Sequence, residues 1–351
     1  MKILVNTPDL SIVGGVSEYL RTLALDQEPN IDLFCIHNYT QTNVVKRMIA
    51  KYQEFYHTAK HYDLIHLHPS FGMKSFLRDM GFIVLARMLR KKVVVTMHGW
   101  EDSFEEKVKK SFVLREFFRI TYARVDGYMV LGEVFKNKLK TLGVKTDKFF
   151  IGTTVASDRY ISEFDISIRL EPKEKLSILF LSRIEKEKGV YIAIDAFSQI
   201  KSPIECELII AGDGCELENA KQYVAKKQIP NVKFVGFVRD KVKHKLLCQS
   251  DLLFFPTHYG EGLPTSVLEA MLYGLPVISR INAAIPDVIE HGINGFLSTS
   301  IQAEDFVLFL EHLIKDKDLY NSMAVANHQK AMNNFTKKQV RAKVLATYEQ
   351  L

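Results

Sequence analysis

The sequence lacks the features that mark secreted, disulfide-bonded or membrane-spanning chains. Its four cysteines, Cys35, Cys206, Cys215 and Cys248, show no C-x-x-C spacing. The first residues, MKILVNTPDL, contain no charged region followed by a long apolar one, and no uninterrupted apolar run reaches about 18 residues. We therefore expect a reduced, cytoplasmic protein, whose contact with a membrane, if it has one, is peripheral at the inner face.

Signals for nucleic acid, dinucleotides and metals are also weak. The net charge of +6 is modest and no nucleic-acid-binding module is recognisable. No G-x-G-x-x-G with a downstream acidic residue opens a βαβ unit, which disfavours a dinucleotide oxidoreductase. The string DKD at 316–318 falls in a polar turn between two predicted helices, and His66 and His68 lack further ligands. We expect no nucleic acid partner, no cofactor and no metal.

The excess of basic over acidic residues lies in the first half of the chain. Residues 74–148 hold 17 basic and 9 acidic side chains, mixed with apolar runs such as VKKSFVLREFFRITYAR. Helices of this composition are suited to lie on anionic lipid. The alternative is that they are amphipathic helices that cover a sheet, with lysines on their outer faces. The two interpretations are compatible.

Short apolar runs rich in β-branched residues recur along the chain and predict parallel strands. The first series is KILVNT, IDLFCIH, YDLIHLH, KKVVVTMHG, DGYMVLG and KFFIGTTV; the second, after the charged stretch RLEPKEKLS, is LSILFLSR, CELIIAGDG, VKFVGFV, SDLLFFPTH, LPVISR and GFLSTS. We predict an α/β protein with two doubly wound domains, residues 1–168 and 169–335, and a C-terminal helix, residues 336–351, that packs back toward the first domain. Ligands of such sheets bind beyond the carboxyl ends of the strands, so we expect a site in a cleft between the domains.

The stretch HYGEGLPTSVLEAMLYGLPVISR, residues 258–280, predicts a strand end, a glycine loop and a helix that starts at Pro264 and ends at Gly274. The free amides around Gly262, Leu263 and Thr265 are suited to meet an anion. Glu269 lies one turn after Thr265 and leans toward the same corner. A carboxylate would repel a phosphate, so Glu261 and Glu269 are expected to accept hydrogen bonds from hydroxyl groups.

Two further strand ends carry related signals. Arg183 and Lys188, in LSRIEKEKGV, are placed to neutralise a diphosphate, and nucleotide sugars combine a diphosphate with hydroxyl groups at both ends. Gly14 and Gly15 follow the first predicted strand, where they indicate either a tight turn or a close approach to a ligand.

With these motifs the chain resembles the retaining glycosyltransferases of family 4, which have the GT-B fold of two facing Rossmann-like domains. The resemblance rests on E-x7-E in EGLPTSVLE, on the N-terminal GG, and on SRIEKEKG, AGDG, VKFVGFV and PDVIEHGINGFL. It implies that Arg183 and Lys188 hold the donor diphosphate, that Gly15 and the amides after Glu261 pack against it, and that Glu269 binds the ribose. It also implies that Glu261 contacts the transferred sugar, with His98 beside that sugar.

The resemblance implies transfer of a sugar, with retention, from a nucleoside diphosphate sugar to a hydroxyl of a glycan or lipid-linked acceptor. The nucleotide is expected to be UDP, and no metal is expected because the cations and the helix N-terminus supply the countercharge. The chain departs from the family pattern at His98-Gly99-Trp100, where aspartate often follows the histidine, and at Ala283-Ala284, where two glycines are frequent. A nucleotide-sugar epimerase of related fold and a sugar-nucleotide-binding protein without turnover remain as alternatives.

Overall fold

The computed structural model describes residues 1–12, 14–37, 43–260 and 262–351. The chain divides into two compact units, one formed by Met1–Val155 with Lys337–Leu351 and the other by Ala156–Thr336. Residues 156–168, which the sequence analysis places in the first domain, lie in the second unit.

The strands fall where the apolar runs predict them, because strands buried on both faces read as continuous apolar segments. Their bounds are β1 Ile3–Thr7, β2 Ile31–Cys35, β3 Leu64–Leu67, β4 Lys92–Met97, β5 Gly127–Val130, β6 Phe149–Ile151, β7 Lys175–Leu181, β8 Glu205–Ala211, β9 Val232–Gly236, β10 Leu252–Phe255, β11 Val277–Arg280 and β12 Gly295–Ser298.

Helices connect most of these strands, as parallel pairing requires. Their bounds are α1 Gly15–Leu23, α2 Val44–Ala59, α3 Met73–Met88, α4 Asp102–Lys110, α5 Phe112–Ile120, α6 Glu133–Thr141, α7 Ser167–Leu170, α8 Val190–Gln199, α9 Leu217–Lys227, α10 Asp240–Gln249, α11 Thr265–Leu272, α12 Ile285–Val288, α13 Glu304–Lys315, α14 Lys317–Asn334 and α15 Lys337–Gln350. Within the described ranges, none of these helices has the length and apolar character needed to cross a membrane.

The first unit is built on a six-stranded parallel sheet with the order β2-β1-β3-β4-β5-β6. One of its faces is covered by α1 and by α15. Tyr19 and Leu20 of α1 share a buried cluster with Val340, Val344 and Tyr348 of α15. Strand order reverses between β1 and β3, so the carboxyl ends of these two strands are the expected ligand position of this sheet.

The second unit has a six-stranded parallel sheet with the order β12-β11-β10-β7-β8-β9. Within this unit, the order is that of doubly wound dinucleotide-binding domains, and it reverses between β7 and β10. Arg169 of α7 is fully buried here and donates hydrogen bonds to the carbonyl oxygens of Leu247, Ser250 and Tyr273. A buried arginine with these partners ties the ends of α10 and α11 to the segment that precedes β7.

Candidate functional site

The loops that follow β7 and β10 meet at the strand reversal of the second sheet. The His258 N–H donates to the carbonyl of Glu187 at 2.9 Å. Gly189 has a φ of +86°, and a Cβ at this position would lie 2.4 Å from the carbonyl oxygen of Pro256. Only glycine fits this backbone conformation and this contact, so the two loops are held together at the edge where a ligand is expected.

The loop after β8 is joined to the same edge. Ile184 N–H donates to the carbonyl of Asp213 at 2.9 Å. At Gly212, with φ of +148°, a Cβ would lie 1.7 Å from the carbonyl oxygen of Ser182. The AGDG segment noted in the sequence therefore has a packing role, because its first glycine lets two loops make backbone contact.

Lys188 and Arg183, which the sequence predicts as ligands of a diphosphate, both lie beside one aromatic ring. Lys188 is buried, and its Nζ lies 4.1 Å from the ring centroid of Tyr259. The Arg183 guanidinium carbon is 5.5 Å from the same centroid, and its Nη1 is 2.5 Å from Glu185 Oε1. Cation–π contact holds both positive groups beside the ring. The sequence analysis overlooked Tyr259, although it stands in the quoted stretch beside the predicted anion site.

His258, next to Tyr259 in the chain, adds no charge to this group at neutral pH. Burial lowers the pKa of His258, and the nearby Arg280 lowers it further, while Glu187 acts in the opposite sense. His258 is therefore held neutral near pH 7, and Arg183 and Lys188 carry the local charge.

Helix α11 begins six residues after Tyr259, at Thr265 rather than at Pro264. Pro264 is the N-cap, with φ of −64° and ψ of 126°, so the predicted start at Pro264 is wrong by one residue. Pro264 makes no side-chain cap hydrogen bond to the first turn. Leu263 and Gly262 are buried, and the Gly262 carbonyl accepts from Ala284 N–H at 3.2 Å. A helix N-terminus whose N-cap side chain accepts no hydrogen bond is a favourable position for an anion.

The end of α11 also differs from the prediction. The helix ends at Leu272, and Gly274, with φ of +66°, follows it in a left-handed turn. The carbonyl of Leu272 is hydrogen-bonded to His328 Nδ1 of α14 at 2.7 Å. The predicted end at Gly274 is therefore two residues late, because the glycine serves as the turn after the helix.

Glu269 is buried on α11 and has a partner that the sequence did not indicate. Its Oε1 lies 2.6 Å from Nζ of Lys243 on α10. Thr265 precedes Glu269 by one turn, so the carboxylate lies on the helix face that leads to the helix N-terminus. The pair fixes the carboxylate position. Glu261 lies outside the described residues.

In the first unit, Gly14 and Gly15 stand at the start of α1. Gly14 has an extended backbone with φ of 179°, and a Cβ built on Gly15 would meet no atom of the described residues within 4 Å. Neither the backbone conformation nor the packing therefore requires glycine at position 15.

His98 follows β4, is half-buried, and stands beside the buried imidazoles of His66 and His68. His98 Nε2 is 2.8 Å from His68 Nδ1, and the Tyr19 ring of α1 lies 4.8 Å from the His98 ring. His66 is bonded to Tyr348 Oη at 2.6 Å and to Thr96 Oγ1 at 2.7 Å. Burial lowers the pKa of His98 to about 3, so the ring is neutral at physiological pH.

Buried polar atoms without partners accompany these imidazoles. Within the described residues, both amide atoms of Asn6 and Nε2 of His68 are buried and make no hydrogen bond. Asn6 is on β1 and His68 follows β3, so these atoms flank the strand reversal of the first sheet. Unpaired polar atoms of this kind are favoured where a ligand or water completes the bonding.

Trp100 is a buried packing residue and is not exposed to stack on a sugar ring. Its ring is buried and stacked on Phe71 at 4.2 Å, and its Nε1 donates to Glu105 Oε2 at 2.6 Å. Asp316 of the DKD string caps α14 by accepting from Leu319 N–H at 2.9 Å. Both local features thus have structural explanations.

Comparison with known proteins gives the class to which these features point. Residues 162–330, within the second unit, match the family model described as glycosyl transferases group 1. The putative colanic acid biosynthesis glycosyltransferase WcaL of Salmonella typhimurium is 23% identical over 79% of this chain and 67% of its own length. The amylovoran biosynthesis glycosyltransferase AmsK of Erwinia amylovora is 25% identical over 71% of this chain and 60% of its own length.

Solved structures extend the likeness to the whole chain. HepE of Anabaena, solved with UDP, is 18% identical with a TM-score of 0.76, and the alignment covers 100% of both chains. Sucrose-phosphate synthase of Thermosynechococcus elongatus is 16% identical with a TM-score of 0.77, over 100% of this chain and 98% of the other. The predicted α/β fold of the GT-B class is confirmed. Together the comparisons support a glycosyltransferase of the group 1 superfamily.

Proposed function

We propose that this chain is a retaining glycosyltransferase of family 4 that transfers a sugar from a UDP-sugar to a hydroxyl of a lipid-linked or growing glycan. The observation that carries the proposal is the convergence of Arg183 and Lys188 on Tyr259, which precedes the N-terminus of α11 by six residues in the chain. Two cations and a helix dipole suit a diphosphate. The named roles of WcaL and AmsK in polysaccharide biosynthesis support a glycan acceptor.

In this proposal the remaining site residues divide by the part of the donor that they meet. Glu269, held in place by Lys243, accepts hydrogen bonds from the ribose hydroxyls. The amides of Gly262, Leu263 and Thr265 pack against the diphosphate, and Pro264 shapes that corner. Gly14 and Gly15 allow a close approach to the phosphates. Glu261 and His98 are the catalytic residues, which contact the transferred sugar.

UDP is proposed as the nucleotide because HepE was solved with UDP and with UDP-glucose. Thermal unfolding in the presence of a panel of UDP-, GDP-, ADP-, CDP- and dTDP-sugars tests this. The true donor raises Tm by mass action. A rise with GDP-sugars alone would refute the base assignment, and no rise with any member of the panel would refute the donor site.

The donor site is tested by substitution of its cations. Arg183→Ala and Lys188→Ala are expected to weaken UDP binding about tenfold each, since each removes a charge-assisted contact. Lys226→Ala, an exposed lysine on α9, is the matched control and should bind UDP normally. Unchanged binding in the Arg183 and Lys188 variants would show that the diphosphate is held elsewhere.

We further propose that the reaction needs no divalent metal, because Arg183, Lys188 and the α11 N-terminus supply the countercharge. Activity should be unchanged by EDTA. A strict requirement for Mg²⁺ or Mn²⁺ would contradict this step without affecting the assignment as a glycosyltransferase.

The proposed transfer proceeds on the side of the leaving group. The acceptor oxygen bonds to the anomeric carbon as the bond from that carbon to the β-phosphate oxygen breaks, and the hydroxyl proton passes to that phosphate oxygen. The product keeps the anomeric configuration of the donor, which an NMR spectrum of its anomeric proton would reveal. Glu261→Ala and His98→Ala should lower kcat more than donor affinity, because these contacts strengthen in the transition state. An inverted product would refute the family 4 assignment, and a covalent glycosyl adduct on Glu261 would refute the route.

A further inference from the structure

Helix α5 presents an apolar face to solvent. Phe112, Val113 and Ile120 have exposed fractions of 68%, 56% and 47%. With about 100° between successive helical residues, these three side chains fall within an arc of roughly 100°. The opposite side of the helix is anchored, because Phe118 is buried with its ring 6.0 Å from Phe71. The apolar face is therefore presented by a packed helix.

The start of this face is held in place by Ser111. Ser111 N–H donates to the Lys107 carbonyl at 2.9 Å, which ends α4, and Ser111 Oγ accepts from Leu114 N–H at 3.4 Å, which caps α5. A single residue thus forms the corner between two helices. Phe112, the first residue of α5, projects from that corner.

Positive charge surrounds the corner. Residues 107–115, KVKKSFVLR, contain four basic side chains and no acidic one. The neighbouring carboxylates are already paired: the carboxylate of exposed Glu106 lies 3.3 Å from Lys109 Nζ, and that of half-buried Glu116 lies 2.5 Å from Arg119 Nη2. Lys107 and Arg115 form no ion pair with any residue that the structure describes. The corner therefore carries excess positive charge next to exposed apolar side chains.

We propose that this surface, formed by Phe112, Val113 and Ile120 with Lys107, Lys110 and Arg115, docks onto an anionic phospholipid bilayer. Lysines and arginines around an apolar helix face match an interface where anionic headgroups lie above an acyl layer. A second copy of this chain is a poor occupant, because a symmetric contact would bring the four cations of each corner against their equivalents. The docking surface is independent of the proposed glycosyl transfer.

The test is flotation of the purified full chain with vesicles. The chain is expected to bind vesicles of phosphatidylcholine mixed with phosphatidylglycerol but not vesicles of pure phosphatidylcholine. High salt should release the chain from the mixed vesicles. The double variant Lys107→Glu with Lys110→Glu should lower the partition coefficient at least about tenfold. Phe112→Ser with Val113→Ser should lower it about tenfold or more as well, because insertion of the apolar side chains is lost.

Matched controls come from the second unit. Leu308→Ser removes an apolar side chain of α13 that is 72% exposed, and Lys226→Glu with Lys245→Glu reverses two exposed lysines. Both controls should bind the mixed vesicles as the unaltered chain does. Failure of the unaltered chain to bind, or equal losses in the controls, would overturn the proposal. Vesicle-independent dimers that dissociate on Phe112→Ser with Val113→Ser would overturn it in favour of a protein contact.

Discussion

His68 Nδ1 lies 2.8 Å from His98 Nε2, and the two rings are stacked with centroids 5.1 Å apart. His68 Nε2 is buried without a partner in the described part of the chain. A proton on that nitrogen would be an orphaned donor, which buried structures avoid more strictly than an unfilled acceptor. His68 therefore carries its proton on Nδ1 and donates to His98. This leaves the His98 proton on Nδ1, the nitrogen that does not contact His68.

The tautomer of His98 is the first prediction. Long-range ¹H–¹⁵N NMR spectra should show His98 as the Nδ1–H form, and His68→Phe should release it to a mixture of both forms. If His98 binds the transferred sugar, the same variant should lower kcat about tenfold, the equivalent of one lost hydrogen bond. Thr96→Val is the control, because Thr96 contacts His66 rather than His98. An Nε2–H form of His98 in the unaltered chain would contradict the assignment.

Acid sensitivity of the first unit is the second prediction. Burial lowers the pKa of His66 and His98 from 6.5 to about 3, and that of His68 well below 6.5. The unfolded chain therefore takes up protons first as the pH falls, so stability is full above about pH 6.5 and is lost progressively below it. At pH 5 each of the three imidazoles should lower the free energy of unfolding by up to about 2 kcal/mol relative to its value at pH 7.

Urea unfolding at pH 7 and pH 5 measures this loss. The chosen interval lies above the range in which carboxylates such as Glu207, with a pKa lowered to about 2, begin to contribute. His98→Asn should reduce the loss by about 2 kcal/mol, since one titrating ring is gone. Equal stability at the two pH values would show that the imidazoles are protonated in the folded chain.

The strands and the anion-binding corner were predictable from the sequence because their signals are local. A parallel strand buried on both faces is a continuous apolar run, and a glycine loop before a helix appears as a short motif. Lys243 and Tyr259 escaped prediction as site residues because their contacts join elements that are distant in sequence. Arg169, at the start of the charged stretch that separates the two series of strands, is fully buried. Arginine is so rarely buried that composition alone predicts the opposite.

Gly15 offers the third prediction. A Cβ at this position meets no described residue within 4 Å, so Gly15→Ala should leave the free energy of unfolding unchanged or slightly raised, because alanine favours helices. If Gly15 lets the donor phosphates approach, UDP affinity should fall about tenfold all the same. Isothermal titration against UDP checks this. Normal UDP affinity would remove Gly15 from the donor site.

Gly212→Ala is the informative contrast. The φ of Gly212 is +148°, and a Cβ built on it would lie 1.7 Å from the Ser182 carbonyl oxygen. The site therefore has no room for a methyl group. The variant should lose about 3 kcal/mol or more of stability. Gly212→Ala should lower the free energy of unfolding, whereas Gly15→Ala should lower only the affinity for UDP. This pair of results would separate a glycine that the fold requires from one that the ligand requires.

The pair of Glu269 and Lys243 carries the last prediction, in which stability and binding have different outcomes. Lys243→Met leaves a buried carboxylate without its cation at 2.6 Å, and it should cost about 2 kcal/mol of unfolding free energy, moderated by the partial exposure of Lys243. The double variant Glu269→Gln with Lys243→Met removes both charges and should recover most of that stability. Urea unfolding measures both values.

UDP affinity then decides what the carboxylate does. If Glu269 accepts hydrogen bonds from the ribose hydroxyls, the double variant is stable but binds UDP about tenfold more weakly, because the neutral amide offers one acceptor oxygen where the carboxylate offers two charged ones. If Glu269 serves only to pair with Lys243, the double variant binds UDP as the unaltered chain does. Lys243→Arg, which keeps the charge, should preserve both stability and affinity. Full UDP affinity in the double variant would therefore show that the ribose does not contact Glu269 of α11. The assignment of the cations beside Tyr259 to the diphosphate would be unaffected.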